Sequence, residues 1–304
     1  MGNFPGTLEG AFRPGVSARE TVNQIFSPFL PDGPTMTAPS SALVARGLTK
    51  RYGDTVAIES LDLDVDRGVV YGFLGPNGAG KTTTMRILTG LIEPTEGEAW
   101  VADTPSSNRR ELVDRIGLLP EEPPLYDELT GREQLQFAAD LRDRSWDDVS
   151  ERALAYCDAL ELTGDLDRRI DGYSTGMCQK TAFVQATQHD PDVVFLDEPT
   201  SGLDPRAAKT LRELIVDLAA ADTTVFLSTH ILPVVEEIAD EVGVLHDARL
   251  VAEGSPEELV GDATAGGASG PDAGEDADVE TGEEADLEDA FLALTSEPEA
   301  AWQS

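Results

Sequence analysis

The sequence predicts an α/β fold in which a parallel core sheet carries an antiparallel β subdomain and a helical subdomain. Short apolar runs at 69–74, 193–196 and 224–227 each precede a helical pattern, which is typical of parallel strands joined by helices. Segments 42–48 and 56–65 alternate apolar and polar residues, as half-buried antiparallel strands do. The two patterns predict two sheets of different kinds in one chain.

Composition divides the chain into three regions. Residues 1–40 are rich in Gly and Pro without helical or strand periodicity, which predicts a flexible N-terminal tail. Residues 41–258 hold the periodic segments and form the predicted folded domain, with the helical subdomain at about 131–180. Residues 259–304 are predicted to form an acidic flexible linker that ends in a short helix, because the run 261–284 has too few apolar side chains to fold.

Local patterns predict where individual segments begin and end. Ser145 precedes apolar residues at helical spacing, so we expect it to cap that helix. Apolar segments at 242–245 and 250–252, separated by a short turn, predict a closing hairpin. The helix near the C-terminus has one apolar face and is expected to dock on the domain through Leu287, Ala290, Phe291 and Leu294. The natural protein starts at either Met1 or Met36, because periodic order begins soon after Met36.

The acidic charge is spread along the whole chain. Asp and Glu number 58 against 22 Lys and Arg, of which only four are Lys, so the formal net charge is −36. This balance resembles that of proteins from salt-accumulating halophiles, where a Debye length of about 3 Å makes such self-repulsion tolerable. Phosphodiester backbones and anionic lipids attract basic surfaces instead, so we predict no nucleic-acid partner.

Cysteine content and hydropathy indicate the cellular compartment in which the protein is expected. Two cysteines, Cys157 and Cys178, cannot form a disulfide framework or a Cys-rich zinc site, and they suit a reducing environment. No run approaches the ~18 apolar residues of a membrane span, so we expect no direct membrane insertion. The N-terminus has no basic region followed by an apolar core, so no secretory signal is expected. These features predict a cytoplasmic protein.

A Gly-rich loop carries the first chemical motif. Residues 75–82 fit the pattern G-x-x-x-x-G-K-[ST] between a predicted strand and a predicted helix, where backbone N–H groups wrap the phosphates of a nucleotide. Lys81 is expected to reach the β and γ phosphates, and the Thr82 hydroxyl to ligate Mg²⁺. The alternative is a Gly-rich turn without a ligand. The expected ligands are a nucleotide and Mg²⁺, with ATP as the nucleotide implied by the family resemblance described below, and the nucleotide is bound by Gly75, Pro76, Asn77, Gly78, Ala79, Gly80, Lys81, Thr82 and Thr83.

Two carboxylates, Asp197 and Glu198, end the apolar strand at 193–196. A buried strand delivers Asp197 to the edge of the sheet, where it is expected to hold Mg²⁺ through water. Glu198 is then placed to polarise an attacking water as a general base. The alternative is a pair of solvated carboxylates at a strand end.

Residues 42–258, with the closing segment 287–292, resemble the ATP-binding subunit of ABC transporters. The segment 173–177, Tyr-Ser-Thr-Gly-Met, is similar to the ABC signature in the form that many exporter ATPases carry, and its serine lies 93 residues after Lys81. The resemblance implies that the Ser174 hydroxyl and the Gly176 N–H group bind the γ-phosphate held by the opposite subunit.

The resemblance also implies roles for residues outside these motifs. Tyr52 is expected to stack on adenine, His230 to contact the γ-phosphate as the switch histidine, and the loop 201–204 to cross the dimer interface. Glu121 stands where the family usually has a glutamine whose oxygen meets Mg²⁺. A carboxylate keeps the acceptor oxygen but adds a charge and loses the amide donor, so the metal geometry is open at this position.

The resemblance implies an ATPase that works as a homodimer, or paired with another ABC ATPase, on a separate integral membrane permease. The signature form and the C-terminal ending favour an exporter, held at the inner face of the cell membrane through the permease. Two alternatives stay open. One is an importer ATPase, which usually carries L-S-G-G-Q, and the other is a soluble ABC ATPase acting on DNA or ribosomes, although this chain has one cassette and no room for a long insert before its signature.

Overall fold

The computed structural model describes residues 41–266 and 286–295. The predicted N-terminal tail, with Met36, and most of the predicted linker lie outside the described residues. The strands that are described run in the order β1 Leu43–Tyr52, β2 Thr55–Val65, β3 Val70–Leu74, β4 Glu96–Val101, β5 Thr104–Pro105, β6 Ile116–Leu119, β7 Val193–Asp197, β8 Thr224–Ser228, β9 Glu241–His246 and β10 Arg249–Gly254. The α-helices run in the order α1 Lys81–Leu88, α2 Arg109–Arg115, α3 Gly131–Asp140, α4 Trp146–Ala159, α5 Thr175–Thr187, α6 Pro205–Ala220, α7 Leu232–Ile238, α8 Pro256–Gly266 and α9 Leu287–Thr295.

One sheet is antiparallel and has the strand order β2-β1-β4-β5. Leu43 of β1 pairs with Val65 of β2, and β1 pairs with β4 along its other edge. Along β2, Leu61, Leu63 and Val65 are buried while the residues between them are exposed, as expected for a sheet with one solvated face. The antiparallel strands predicted for this region are confirmed.

The second sheet has the strand order β10-β9-β3-β8-β7-β6. Neighbouring strands from β9 to β6 are parallel, and every residue of β3, β7 and β8 is buried because both faces are covered. On one face, Tyr71 and Phe226 stack with ring centroids 5.5 Å apart in a core shared with α1 and the antiparallel sheet. On the other face, Val194 and Leu227 pack with residues of α5 and α6. β10 pairs antiparallel with β9, so the predicted parallel core and closing hairpin are both confirmed.

Three chain segments leave this sheet at one edge. Ser228, the last residue of β8, pairs with Asp197 of β7 and with Phe73 of β3. Because parallel strands end at the same edge, the segments that follow β3, β7 and β8 emerge side by side. The Gly-rich loop, the two carboxylates and His230 therefore come from neighbouring strand ends.

The helical subdomain is organised by helix caps and by an aromatic contact. Ser145 accepts a hydrogen bond from the Asp148 N–H group (3.3 Å) and forms a capping box at the start of α4, which confirms the predicted cap. Tyr156 of α4 meets Phe183 of α5 edge to face, with ring centroids 5.9 Å apart. This contact holds α5, the helix that follows the signature serine, against the rest of the subdomain.

The C-terminal region differs in part from the prediction. The run from Gly261 was expected to lack structure, but α8 continues to Gly266. The prediction failed there because composition does not take account of the helix that begins at Pro256, and extending an existing helix avoids the cost of nucleating a new one. The predicted docking of the last helix is confirmed, because Leu287 of α9 is buried with Leu259 and its N–H group donates to the Glu236 carboxylate (3.0 Å).

We expect the thermal unfolding midpoint and the activity of the protein to rise as KCl is raised from ~0.1 M to ~2 M, because screening removes repulsion among uncompensated carboxylates. Surface ion pairs such as Arg46–Asp64 (2.6 Å, each side chain half exposed) weaken in the same salt. Each such pair contributes only about 0–1 kcal/mol, so the loss of repulsion outweighs it. Calorimetry across this salt range tests the halophile interpretation, and a midpoint that stays flat or falls would contradict it.

Candidate nucleotide-binding and hydrolysis site

The Gly-rich loop between β3 and α1 is pressed against neighbouring backbone. A Cβ atom at Gly75 would lie 2.4 Å from the Leu245 carbonyl oxygen, and one at Gly80 would lie 2.3 Å from the Ala57 carbonyl oxygen. Gly80 also has φ = 115°, a conformation that side chains disfavour. The loop therefore follows this path only with glycine at both positions, and the path leads directly into α1.

Lys81, the first residue of α1, folds back over the loop. Its side chain is buried, and Nζ donates hydrogen bonds to the carbonyl oxygens of Gly75 (2.6 Å) and Pro76 (3.3 Å). Burial lowers the pKa of the ammonium group, although nearby carboxylates act in the opposite direction. Phosphate oxygens are stronger acceptors than carbonyl groups, so an ammonium held here is well placed to bind them.

Thr82 and Asp197 form the candidate metal site. The Thr82 hydroxyl donates to the Asp197 carboxylate (3.3 Å), which is itself buried. Burial raises the pKa of Asp197, and the charges of Glu121 and Glu198 act in the same direction, so a bound cation would relieve this repulsion. The donor atoms are all oxygen, which suits Mg²⁺. Within the described ranges no three His, Cys, Asp or Glu side chains form a metal cage, so the phosphates would have to supply further ligands, as is usual for Mg²⁺.

Glu198 and His230 are in direct contact. His230 Nδ1 lies 2.7 Å from Glu198 Oε1, and the His230 backbone N–H group donates to the same oxygen (3.0 Å). Glu198 has φ = 49°, and its own N–H group donates to the Ser228 carbonyl oxygen (2.8 Å). The side chain of His230 is 63% exposed, so its ring is free to reach a ligand. The two residues that the sequence places 32 positions apart thus form one hydrogen-bonded pair.

Two further residues hold Glu198 and were not predicted. The Thr229 hydroxyl donates to Glu198 Oε2 (2.9 Å), and Gln179 of α5 donates through Nε2 to the Glu198 carbonyl oxygen (3.3 Å). Both side chains are buried. Neither contact could be predicted from a local pattern, because each joins segments that are distant along the chain.

The signature segment packs against the loop 201–204 of the same chain. Ser174 caps α5 by accepting a hydrogen bond from the Met177 N–H group (3.2 Å). A Cβ atom at Gly176 would lie 3.0 Å from the Gly202 carbonyl oxygen, so the two segments approach closely. Asp204 in turn caps α6. The Ser174 hydroxyl and the N-terminus of α5 are thus fixed relative to the segment that follows Glu198.

Tyr52, at the end of β1, is 51% exposed. The Lys50 ammonium group lies 5.1 Å from the centre of its ring. The structure thus brings the predicted residues of the Gly-rich loop, the strand-end carboxylates and His230 to one sheet edge, while Tyr52 presents an open aromatic surface on the antiparallel subdomain.

Comparison with known proteins decides the class. Residues 58–201 match the family model described as ABC transporter. The chain is 38% identical over 219 residues to the bacitracin transport ATP-binding protein BcrA of Bacillus licheniformis, and the match covers 70% of each chain. The chain belongs to the ATP-binding subunits of ABC transporters. This ABC ATPase binds ATP and hydrolyses it in transport, as predicted, and cassettes of the family dimerise and pair with a membrane component.

Other similarities agree with this assignment. The ABC ATPase is 40% identical over 217 residues to the fluoroquinolones export ATP-binding protein of Mycobacterium tuberculosis (strain CDC 1551 / Oshkosh), covering 70% of this chain and 71% of the relative. A solved ATP-binding subunit of an ABC transporter superposes with a TM-score of 0.73 at 29% identity, covering 84% of this chain and 99% of its own. The predicted fold class, a P-loop NTPase of the ABC ATPase type, is confirmed. In the described part of the chain, every helix is too short or too polar to cross a membrane.

Proposed function

We propose that this ABC ATPase powers an exporter. Two copies, or this chain and a second ABC ATPase, close around two ATP–Mg²⁺, and hydrolysis reopens them, so that the cycle drives a separate integral membrane permease. The observation that carries the ATPase part is the meeting of Lys81, the Thr82–Asp197 pair and the Glu198–His230 pair at one sheet edge. The direction of transport is supported by the signature form and by the relatives named for bacitracin transport and fluoroquinolones export.

Nucleotide binding is assigned to the Gly-rich loop and to Tyr52. The backbone N–H groups of 75–83 and the Lys81 ammonium group hold the β and γ phosphates, helped by the positive end of α1. The exposed ring of Tyr52 stacks on adenine. When bound, Mg²⁺ would offset charge on the phosphates, held by Thr82, Asp197 and Glu121.

Hydrolysis is assigned to Glu198 and His230. Glu198 accepts a proton from the attacking water while the water oxygen bonds to the γ phosphorus and the bond to the ADP oxygen breaks. His230 turns its exposed ring to the γ-phosphate. ADP and phosphate then leave, and the proton on Glu198 returns to solvent.

Each pocket is completed by the second subunit. Ser174 accepts a hydrogen bond from Met177, so its own hydroxyl proton is free to donate to a phosphate oxygen. The Gly176 N–H group lies in the first turn of α5, where backbone donors and the helix dipole favour an anion. The loop 201–204 packs against Gly176. In the proposed dimer this loop crosses the interface between the two subunits.

The partner is a permease, and the complex places this chain in the cytoplasm at the inner face of the membrane. A net charge of −36 argues against nucleic acid as the partner.

We expect a permease encoded beside the gene to co-purify with this chain. In inside-out vesicles that contain both, external ATP should drive accumulation of a transported fluoroquinolone or bacitracin probe, and Lys81→Ala should abolish it. Accumulation only in right-side-out vesicles that are loaded with ATP would favour the importer alternative, and failure of the two proteins to associate would contradict the proposal.

A further inference from the structure

Thr229 lies between the end of β8 and His230, and its side chain is 1% exposed. Its hydroxyl oxygen accepts a hydrogen bond from the Ile231 N–H group (3.2 Å) and lies 2.9 Å from Glu198 Oε2. A hydroxyl group has a single proton, and a carboxylate only accepts hydrogen bonds. The Ile231 bond therefore occupies a lone pair, and the proton of Thr229 points to Glu198.

The two oxygens of Glu198 are held in different ways. Oε1 is bound by His230, through its backbone N–H group (3.0 Å) and through Nδ1 of a largely exposed ring (2.7 Å). Oε2 is bound by Thr229, which is buried and anchored to Ile231. When the His230 ring turns to a phosphate, Oε1 loses one of its two donors, while the bond from Thr229 to Oε2 persists.

The main chain of Glu198 is also held. Its φ of 49° lies in the left-handed region, which a non-glycine residue adopts at a cost, and its carbonyl oxygen accepts from Gln179 (3.3 Å). With the backbone held, the remaining freedom of Glu198 is rotation of its side chain. Thr229 is the buried side-chain donor that limits this rotation.

We infer that Thr229 is a positioning residue for ATP hydrolysis, whose hydroxyl holds Oε2 of Glu198 so that Oε1 faces the attacking water. The inference rests on the proposed role of Glu198 as general base. Oε1 takes the proton of the water, and Thr229 keeps its own proton throughout. A positioned general base contributes a rate enhancement of about 10²- to 10⁴-fold, and a base that is free to rotate away from the water would lose part of this enhancement.

The test compares Thr229→Val, which removes the hydroxyl and keeps the branched shape, with Thr229→Ser, which keeps the hydroxyl. Thr229→Val should lower kcat by roughly 10- to 100-fold with KM for ATP changed by less than about twofold, because the bond acts on the base and not on the nucleotide. Thr229→Ser should retain kcat within about threefold of the unmodified protein. Equal losses in both variants would show that keeping the hydroxyl does not preserve kcat, and this result would overturn the inference.

A matched control and a double variant complete the test. Thr187 is also buried, but its hydroxyl donates to the Phe183 carbonyl oxygen of its own helix (2.8 Å), so Thr187→Val should leave kcat unchanged. In a Glu198→Gln background, single-turnover measurements should show no further slowing by Thr229→Val, because the base it positions is already removed. If the effects of the two substitutions on the rate multiply, Thr229 acts independently of Glu198 and the inference fails.

The outcomes for the two proposals differ. If the Glu198→Gln variant hydrolyses ATP at a normal rate, the proposed base is wrong. If Glu198→Gln is slow but Thr229→Val is normal, only the role of Thr229 is overturned.

Discussion

Replacing Glu198 by Gln should slow ATP hydrolysis by at least ~10²-fold, the lower range for loss of a general base, while ATP–Mg²⁺ still binds. The amide retains the size of the side chain and one acceptor oxygen, but it does not take a proton from water. The contacts of Lys81 with the loop and of Thr82 with Asp197 do not involve the Glu198 side chain, so the binding part of the site is retained. Phosphate release and nucleotide titration measure the two effects separately.

The same variant should form an ATP-dependent dimer on a sizing column, because the closed pair reopens only after hydrolysis. Glu213→Gln on α6 is a matched control, since Glu213 is a surface residue paired with Lys209 and the change in charge is identical. This control should hydrolyse ATP normally and show no trapped dimer. Near-normal turnover by Glu198→Gln would remove the assignment of Glu198 as the base.

Mixing Lys81→Ala with Ser174→Ala should restore ATPase activity that neither variant has alone. If each pocket is built from Lys81 of one subunit and Ser174 of the other, a mixed dimer has one pocket with both lesions and one with neither. With free exchange about half of the dimers are mixed, so roughly a quarter of all pockets are intact and the mixture should recover up to that share of activity. ATPase rates of the mixture and of each component provide the measurement.

The control mixture is Lys81→Ala with Glu198→Gln, because both side chains enter a pocket from the same subunit. Every pocket of a mixed dimer then carries one lesion, so no recovery is expected. Exchange between subunits is followed by fluorescence transfer between labelled copies. Suppose that exchange is complete and that the mixture of Lys81→Ala and Ser174→Ala stays as inactive as its components. If the two pockets turn over independently, this result would contradict a pocket shared between subunits.

Much of the fold could be predicted because several elements are determined by a simple local pattern of residues, such as a continuous apolar run or a helix cap. The buried strands β3, β7 and β8 need continuous apolar runs, and the Gly-rich loop needs Gly75 and Gly80 where other backbone passes within van der Waals distance. The cap at Ser145 depends only on residues three positions apart. The strands and the cap depend on short stretches of chain, and the sequence predicted both correctly. The backbone that passes Gly75 and Gly80 belongs to Leu245 and Ala57, so that close approach is seen only in the folded chain.

Composition was a weaker guide at the end of the folded domain. The Gly- and Asp-rich run after Leu259 was expected to lack structure from Gly261, yet α8 extends to Gly266. The decisive influence lies before the run, where a helix has already started and packs Leu259 with Val235. The composition of the run does not show that the preceding helix packs on the domain in this way.

The candidate residues of the site came from the sequence: the glycine loop, Lys81 and the two strand-end carboxylates predicted phosphate binding and hydrolysis, and the resemblance to ABC ATPases implied the role of His230. Their arrangement depends on the sheet. Parallel pairing of β7 with β8 brings Glu198 to Thr229 and His230, and packing of α5 brings Gln179 to the Glu198 carbonyl oxygen. Hydrogen bonds act over about 3 Å, whereas these partners lie far apart in sequence, so only the folded chain determines which donor holds which oxygen of the base.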